Sequence, residues 1–284
     1  MKKLKHLVAI SPSYISDRKY GVEIEVEGTR LPTSLPSSVW RIESDSSLKT
    51  EEAYEYVTNG PMDLMGIRTA LDILQQAYTK RETEVFDSVR AGVHVHMNVQ
   101  DWNIKELMTF SLCYYIVEDI LLKWCGENRE GNLFCLRTRD AEFVLFKVLE
   151  TLKNRNLNIL KNDIIRYSSL NYCSLFKYGT VEFRGMRGTG DLDAIYTWVK
   201  IIDELRETSQ TFTDPVDVIN SMSGDGEINF LHRLFPTHHE LFNFPDMTKI
   251  IRNAARRVQM IAFGVDWDEI SKPPVNIFSE AKGL

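Results

Sequence analysis

The chain lacks most of the signatures that assign a protein at a glance. Its 284 residues hold only four cysteines, Cys113, Cys125, Cys135 and Cys173, and none forms a CxxC pair. Three lie in apolar surroundings, a pattern of reduced, buried thiols that points to the cytoplasm and away from a disulfide framework. No apolar stretch is long enough to span a bilayer. The basic-then-apolar start, MKKLKHLVAI, has too short an apolar run for a signal peptide, and no small-residue cleavage site follows. Positive charge is not in excess: the net charge is -6, so no nucleic-acid partner is expected. The one basic cluster, Arg252, Arg256 and Arg257, has helical spacing and reads as a solvated face. There is no GxxxxGK[ST] loop and no kinase-type glycine loop, and the glycine-rich GMRGTGD does not match the dinucleotide fingerprint. Internal repeats and low-complexity tracts are absent.

What is present is an ordinary globular composition, 43% hydrophobic and 26% charged, in a chain long enough to bury a sizeable core. YGVEIEVEG (20–28) alternates apolar and acidic residues, which predicts a strand with Glu23, Glu25 and Glu27 on one face. SVWRIESDSSL (38–48) reads as a short strand running into a turn, and AYEYVTNGP (53–61) as a strand stopped by Asn-Gly-Pro. AGVHVHMNV (91–99) places His94, His96 and Asn98 on one face. Helical periodicity covers residues 62 to about 80, 103–125, 139–152 and 191–209, the last with Asp191 as N-cap. RYSSLNYCSLFKYGTVEFRGMR (166–187) reads as a β-hairpin turning near 177–179. The expectation is an α+β fold around a curved, largely antiparallel sheet with helices on one side. Residues 1–213 would form the catalytic domain and 214–284 a helical appendage of it, starting at Asp214–Pro215.

The strand faces carry the chemistry. Glu182 and Arg184 are two apart in a strand and point the same way, while Val181 and Phe183 point the other way. Buried charges need partners, so either these two neutralise each other or a polyvalent ligand does. Alternating Glu on one strand is commonly a solvated face, and His-x-His is commonly an edge. Together, several Glu, a His and one or two Arg on one sheet suit an ATP–metal complex. Hard cations such as Mg²⁺ or Mn²⁺ favour carboxylate oxygen, imidazole completes a shell that Mn²⁺ tolerates, and arginine neutralises phosphate.

The ordered set GVEIEVEG, ESDSSL, YEYVTNGP, AGVHVHMNV and YGTVEFRGMRGTGD, spanning about residues 20–205, resembles the amidoligase family. These are carboxylate–amine ligases of bacteria and their phages, with a catalytic domain similar to that of glutamine synthetase and glutamate–cysteine ligase. The resemblance implies a glutamine synthetase-like fold with ATP and Mg²⁺ (or Mn²⁺) on the concave sheet face. It implies transfer of the γ-phosphate to a substrate carboxylate, then attack by an amine. On this sequence it assigns Glu23, Glu25, Glu55, His94 and Glu182 to metal. It assigns Arg184 and Arg187 to phosphate, with Arg187 alternatively on the substrate carboxylate. Either His94 or His96 fills the histidine position, and His96 and Asn98 are expected at the nucleotide. Glu182, Arg184, Arg187 and Glu55 form the expected catalytic set, and at least two metals are expected, since the acidic groups exceed what one octahedral ion needs. Partners are small-molecule or peptide carboxylates and amines, in the cytoplasm, or the host cytoplasm if the chain is phage-encoded.

Other positions stay open. Asp45 binds the amine or caps its turn; Glu27 is a third ligand or faces water. Arg166, Tyr167 and Asn171, read on the strand beside TVEFR, are candidate substrate contacts. Arg129, Arg137 and Arg139 lie in a loop that either closes over the site or is plain surface. Cys135 has no base near it in sequence. His232, His238 and His239 match no common metal spacing. Two other enzyme readings stand beside the ligase: a guanidino-kinase-like phosphotransferase, and a metal-dependent hydrolase or oxygenase using His94 and His96. A binding protein with a decayed site is the non-enzyme alternative.

Overall fold

A computed structural model describes residues 1–44, 47–126 and 132–272. Seven strands form one sheet: β1 (Tyr20–Thr29), β2 (Trp40–Glu43), β3 (Ala53–Thr58), β4 (Glu84–Val85), β5 (Gly92–Asn98), β6 (Leu170–Asn171) and β7 (Thr180–Arg187). Their order is β2-β3-β1-β5-β7-β6, with β4 paired to the end of β1, and every strand pair is antiparallel. The α+β expectation is met.

Among the described residues seven α-helices accompany the sheet: α1 (Leu64–Arg81), α2 (Ile104–Cys125), α3 (Phe143–Lys153), α4 (Leu192–Ser209), α5 (Pro215–Leu234), α6 (Met247–Ala262) and α7 (Trp267–Ser271). Side chains cap their starts where the sequence offers short oxygens. Asp63 accepts from Gly66, Asn103 and Glu106 form a reciprocal capping box, and Asp191 accepts from Ala194. Val22, Ile24, Val26, Val93, Val95, Met97, Val181 and Phe183 from the strands join one apolar cluster with residues of α1, α2 and α4. Helix α2 is apolar on nearly every side because α5 and α6 pack against it as well. Val218, Phe230, Ile251 and Val258 from those last helices belong to the same cluster. Among the described residues no helix is long and apolar enough to cross a membrane.

Two expectations about local structure need correction. The expected hairpin over 166–187 is mostly turn: only Leu170 and Asn171 pair with β7, while Ile165–Tyr167 and Cys173–Phe176 are 3₁₀ turns. Side chains cut the strand short. Ser168 Oγ donates to the carbonyls of Ile165 and Leu170, and Asn171 Oδ1 accepts the Cys173 N–H, giving the backbone local alternatives to a ladder. Arg166 and Tyr167 therefore sit on a turn, not on the neighbouring strand. The helix expected from residue 139 begins at Phe143.

Phe183 anchors the sheet to the helices. It is fully buried, with the rings of Phe110, Tyr114 and Trp198 edge-on at 5.9, 5.3 and 6.3 Å. Phe183→Ala should destabilise the fold by about 3–5 kcal/mol, the usual range for a buried aromatic. Urea unfolding measures this, and a loss below about 1 kcal/mol would remove Phe183 as the anchor.

Candidate active site

The polar face of the sheet is assembled by register. Glu25 lies opposite Glu55, Glu23 opposite His94, and His96 opposite Glu182, which is in turn opposite Asn171. Four strands thus bring the expected carboxylates and imidazoles to one place. A bulge intervenes between β5 and β7: Val93 pairs with Met186 and Val95 with Phe183, so β7 carries one extra residue across from His94. Bulges re-aim side chains at functional edges. Here Phe183 and Met186 both reach the core while Arg184 stays with the acids.

Distances define a tight cluster. His94 Nδ1 is 3.5 Å from Glu23 Oε2, 3.8 Å from Glu25 Oε1 and 3.7 Å from Glu182 Oε1. His96 Nε2 is 3.2 Å from Glu23 Oε1, and its Nδ1 is 3.1 Å from Thr180 Oγ1. Arg184 Nη1 bonds Glu182 Oε1 at 2.5 Å, and Asn171 Nδ2 donates to Glu182 Oε2 at 2.7 Å. Glu25 Oε2 accepts the Gly92 N–H at 2.8 Å. The charges of opposite sign noted on the β7 sequence thus pair with each other.

Electrostatics keep Glu23 and Glu182 ionised. Burial alone would raise Glu23, but His96 and His94 outweigh it and hold the carboxyl well below its ordinary range. Glu182 is likewise lowered: burial opposes ionisation, and Arg184, His96 and His94 overcome it. His96 is raised despite its burial, through Glu23 and Glu182.

Two groups of side chains have ligand atoms mutually within 4.8 Å: Glu23, Glu55 and His94, and Glu23, His96 and Glu182. These donor sets fit hard divalent cations. A further sign is the buried His96 Nε2, which makes no well-aligned hydrogen bond although Glu23 is close. A cation between the two would satisfy both.

The cluster floors a cleft of about 960 Å³ lined by Glu23, Glu25, Glu55, His94, Arg184, Arg90, Arg166, Tyr167, Phe134, Ser44 and Ser47. On the other side of Glu23 lies a second, smaller cavity that includes His96, Asn98 and Thr180. Among the described residues Arg187 lines neither; it is exposed at the end of β7 opposite Gly92 and lies against Gly126. Asn98 lines the second cavity, but its amide donates to the carbonyls of Ser16 and Arg18, so it holds the N-terminal segment in place. Glu27 is neither metal-facing nor solvated: its carboxylate accepts the N–H groups of Lys49 and Thr50 at 2.6 and 3.2 Å and organises that turn. Asp45 and Arg129 lie outside the described residues.

Of the arginines in the loop that either closes over the site or is plain surface, the two described point elsewhere. Arg137 and Arg139 turn to Asp119 of α2, at 3.4 and 3.5 Å, and Arg257 of α6, expected on a solvated face, reaches the same carboxylate at 3.3 Å. His238 pairs with Glu204 of α4. Sequence reasoning did not single out Arg90, Phe134 or Thr180. Thr180 was within reach, since it precedes Glu182 by two on the same face.

The chain matches the family model described as "putative amidoligase enzyme" over residues 14–205. It belongs to this family. The match covers every strand of the sheet and so every residue of the acidic cluster. The family description is that of a ligase-type enzyme. No curated protein matches the chain.

The wall of the amidoligase cleft is held from behind. Segment 132–141 supplies Phe134, whose carbonyl accepts Arg184 Nε at 3.3 Å. Its Thr138 donates through N–H and hydroxyl to Glu118 Oε2, at 2.8 and 2.6 Å, and Ser169 donates to Glu118 Oε1. Burial pushes the Glu118 carboxyl up to about 7, against the Ser169 and Thr138 hydrogen bonds that favour its ionised form. The folded chain therefore keeps this proton to a higher pH than the unfolded chain, whose carboxyl titrates near 4.5. Stability contributed by this group falls as pH rises between those values and is level above them. Glu118→Gln should lack that fall, gaining on the order of 2–3 kcal/mol relative to the parent across the window. Thermal melts between acid and neutral pH would measure it, and parallel curves for the two proteins would discharge Glu118 from the effect.

Proposed function

We propose that this amidoligase is an ATP-dependent carboxylate–amine ligase with a glutamine synthetase-like catalytic sheet. The observation that carries the reading is the cluster of four carboxylates, two imidazoles and Arg184 gathered on one sheet face in a chain of this family. Glu23, Glu25, Glu55, Glu182, His94 and His96 would hold Mg²⁺ or Mn²⁺. Bound there, the metal supplies charge neutralisation at the phosphates.

The residues of the chain have distinct tasks. Arg184, fixed by Glu182 and the Phe134 carbonyl, presents a guanidinium to the transferring phosphoryl group. The acceptor carboxylate attacks the γ-phosphorus of ATP, the bond to the bridging oxygen breaks, and ADP leaves. The resulting acyl phosphate is attacked by the amine, an amide forms and phosphate departs. No side chain has to serve as nucleophile; the cleft holds the reactants together and the charges in place. Arg90 and Arg166, at the cleft wall, are placed to receive anionic groups of the substrate.

Binding of ADP to the full chain, by calorimetry with and without Mg²⁺ or Mn²⁺, tests the reading. Metal-dependent binding is expected, and its absence with both metals would overturn it. Glu25→Gln and Glu182→Gln should each abolish metal-dependent nucleotide turnover while leaving the circular dichroism spectrum unchanged. Arg184→Ala should lower kcat by about 10²–10³ with a much smaller change in nucleotide affinity, because its charge meets the transition state. An unchanged kcat would remove Arg184 from the chemistry. The product separates a ligase from a guanidino-kinase-like transferase: an amide plus free phosphate, against a stable phosphorylated acceptor.

A further inference from the structure

The cavity on the far side of Glu23 differs in kind from the acidic cleft. Tyr14 and Tyr178 meet edge to face at 4.7 Å, and His96 lies edge-on to Tyr178 at 5.5 Å. Val22, Val57 and Pro61 add apolar wall. The charged groups at its border already have partners: Lys19 bonds Glu207 at 2.7 Å, and Arg41 pairs with Glu43 at 3.5 Å.

Its amides are engaged as well. Gln100 donates to the carbonyls of Tyr14 and Tyr178, and Asn98 holds residues 16 and 18. These bonds fasten the N-terminal segment across the sheet end, so the aromatic wall is preformed. A protonated amine would find no uncommitted carboxylate here, since Glu23 belongs to the metal-capable cluster. An anion would find cations that are already paired. A flat, uncharged ring finds aromatic edges and aliphatic surface, the usual makeup of a small-molecule pocket.

Glu23 lines both cavities, with one oxygen 3.2 Å from His96 and the other 3.5 Å from His94. A ligand with a ring at one end and phosphates at the other therefore spans from the aromatic cavity to the acidic cleft past a single carboxylate. We propose that the cavity bounded by Tyr14, Gly21, Thr58, His96 and Tyr178 is the seat of the nucleotide's base. The wider cleft with Arg90, Arg166 and Arg184 is thereby left for the phosphates and the acceptor carboxylate. This assignment rests on the nucleotide-dependent reading above.

Gly21 offers the test. A Cβ built there meets Thr58 Oγ1 at 3.6 Å and His96 Cβ at 3.8 Å, ordinary contacts. The backbone thus accepts a Cβ at this position, and the longer side chain of Gly21→Leu would project into the cavity. Tyr14→Ala, in a half-exposed turn, removes one aromatic wall by an independent route. The probes are ADP and inorganic tripolyphosphate, each titrated with Mg²⁺ into the full chain and both variants. Each variant should weaken ADP by about tenfold or more, the scale of one base's stacking, and leave tripolyphosphate unchanged. Undiminished ADP binding by both variants would overturn the base seat while the nucleotide reading stands. Equal loss of ADP and tripolyphosphate would also overturn it, placing the phosphates in the cavity. Failure of the parent chain to bind either probe would bring down the nucleotide reading and the seat with it.

Discussion

Crowding four carboxylates onto one sheet face is the constraint around which the rest of the structure is arranged. At a separation of about 4 Å, two like charges repel by about 4 kcal/mol at an effective dielectric near 20. Isolated burial of even one is costlier still. Two of the acids have clear counter-groups: Glu23 is flanked by both imidazoles, and Glu182 is bonded by Arg184 and Asn171. The antiparallel ladders keep the acids from moving apart, and Phe183, on the reverse of the strand that carries Glu182 and Arg184, ties that strand to α2 and α4.

The faces of the strands were legible from the chain because side-chain direction in a strand has period two. Glu23 with Glu25, His94 with His96, and Glu182 with Arg184 could each be placed on one face from alternation alone. Which pair stands opposite which could not be read, because register depends on strand order and on the bulge at Arg184. The bulge also limits the reach of alternation: counting in twos from Glu182 puts Arg184 correctly but would put Met186 on the polar face, whereas it is buried in the core. Segment 166–176 misled for another reason. Its apolar and aromatic residues look strand-like, yet Ser168 and Asn171 satisfy the backbone locally and end the pairing after two residues. The aromatic cavity was not legible at all, since Tyr14, Thr58 and Tyr178 come from three distant parts of the chain.

Charges outside the site follow a related logic. Helix α2 is almost wholly buried, yet it carries Glu118 and Asp119. Glu118 gathers Thr138 and Ser169, which belong to the two backbone segments forming the cleft wall, and Asp119 gathers Arg137, Arg139 and Arg257. Arg257 comes from α6, so the C-terminal helices touch the same buried acids that hold the wall. In the sequence these arginines resemble surface charge. Only the packing of α6 on α2 turns Arg257 inward.

The arrangement of donors also bears on which metal chemistry the site can support. A two-histidine, one-carboxylate centre, the pattern behind a hydrolase or oxygenase reading, needs both imidazoles on one ion. Among the described residues each metal-capable group contains a single histidine, and the two groups are joined through Glu23. His94 looks toward the acidic cleft and His96 toward the aromatic cavity, where Thr180 fixes the other ring nitrogen. Residues two apart on a strand share a face but stand about 6–7 Å apart along it. Here the two rings line different cavities, His94 the acidic cleft and His96 the aromatic one. The spacing suits a reactant that extends along the strand direction, with charge at one end and a ring at the other. Arg184, Arg90 and Arg166 line the same cleft as the carboxylates, and the two-histidine alternative gives these guanidinium groups no task.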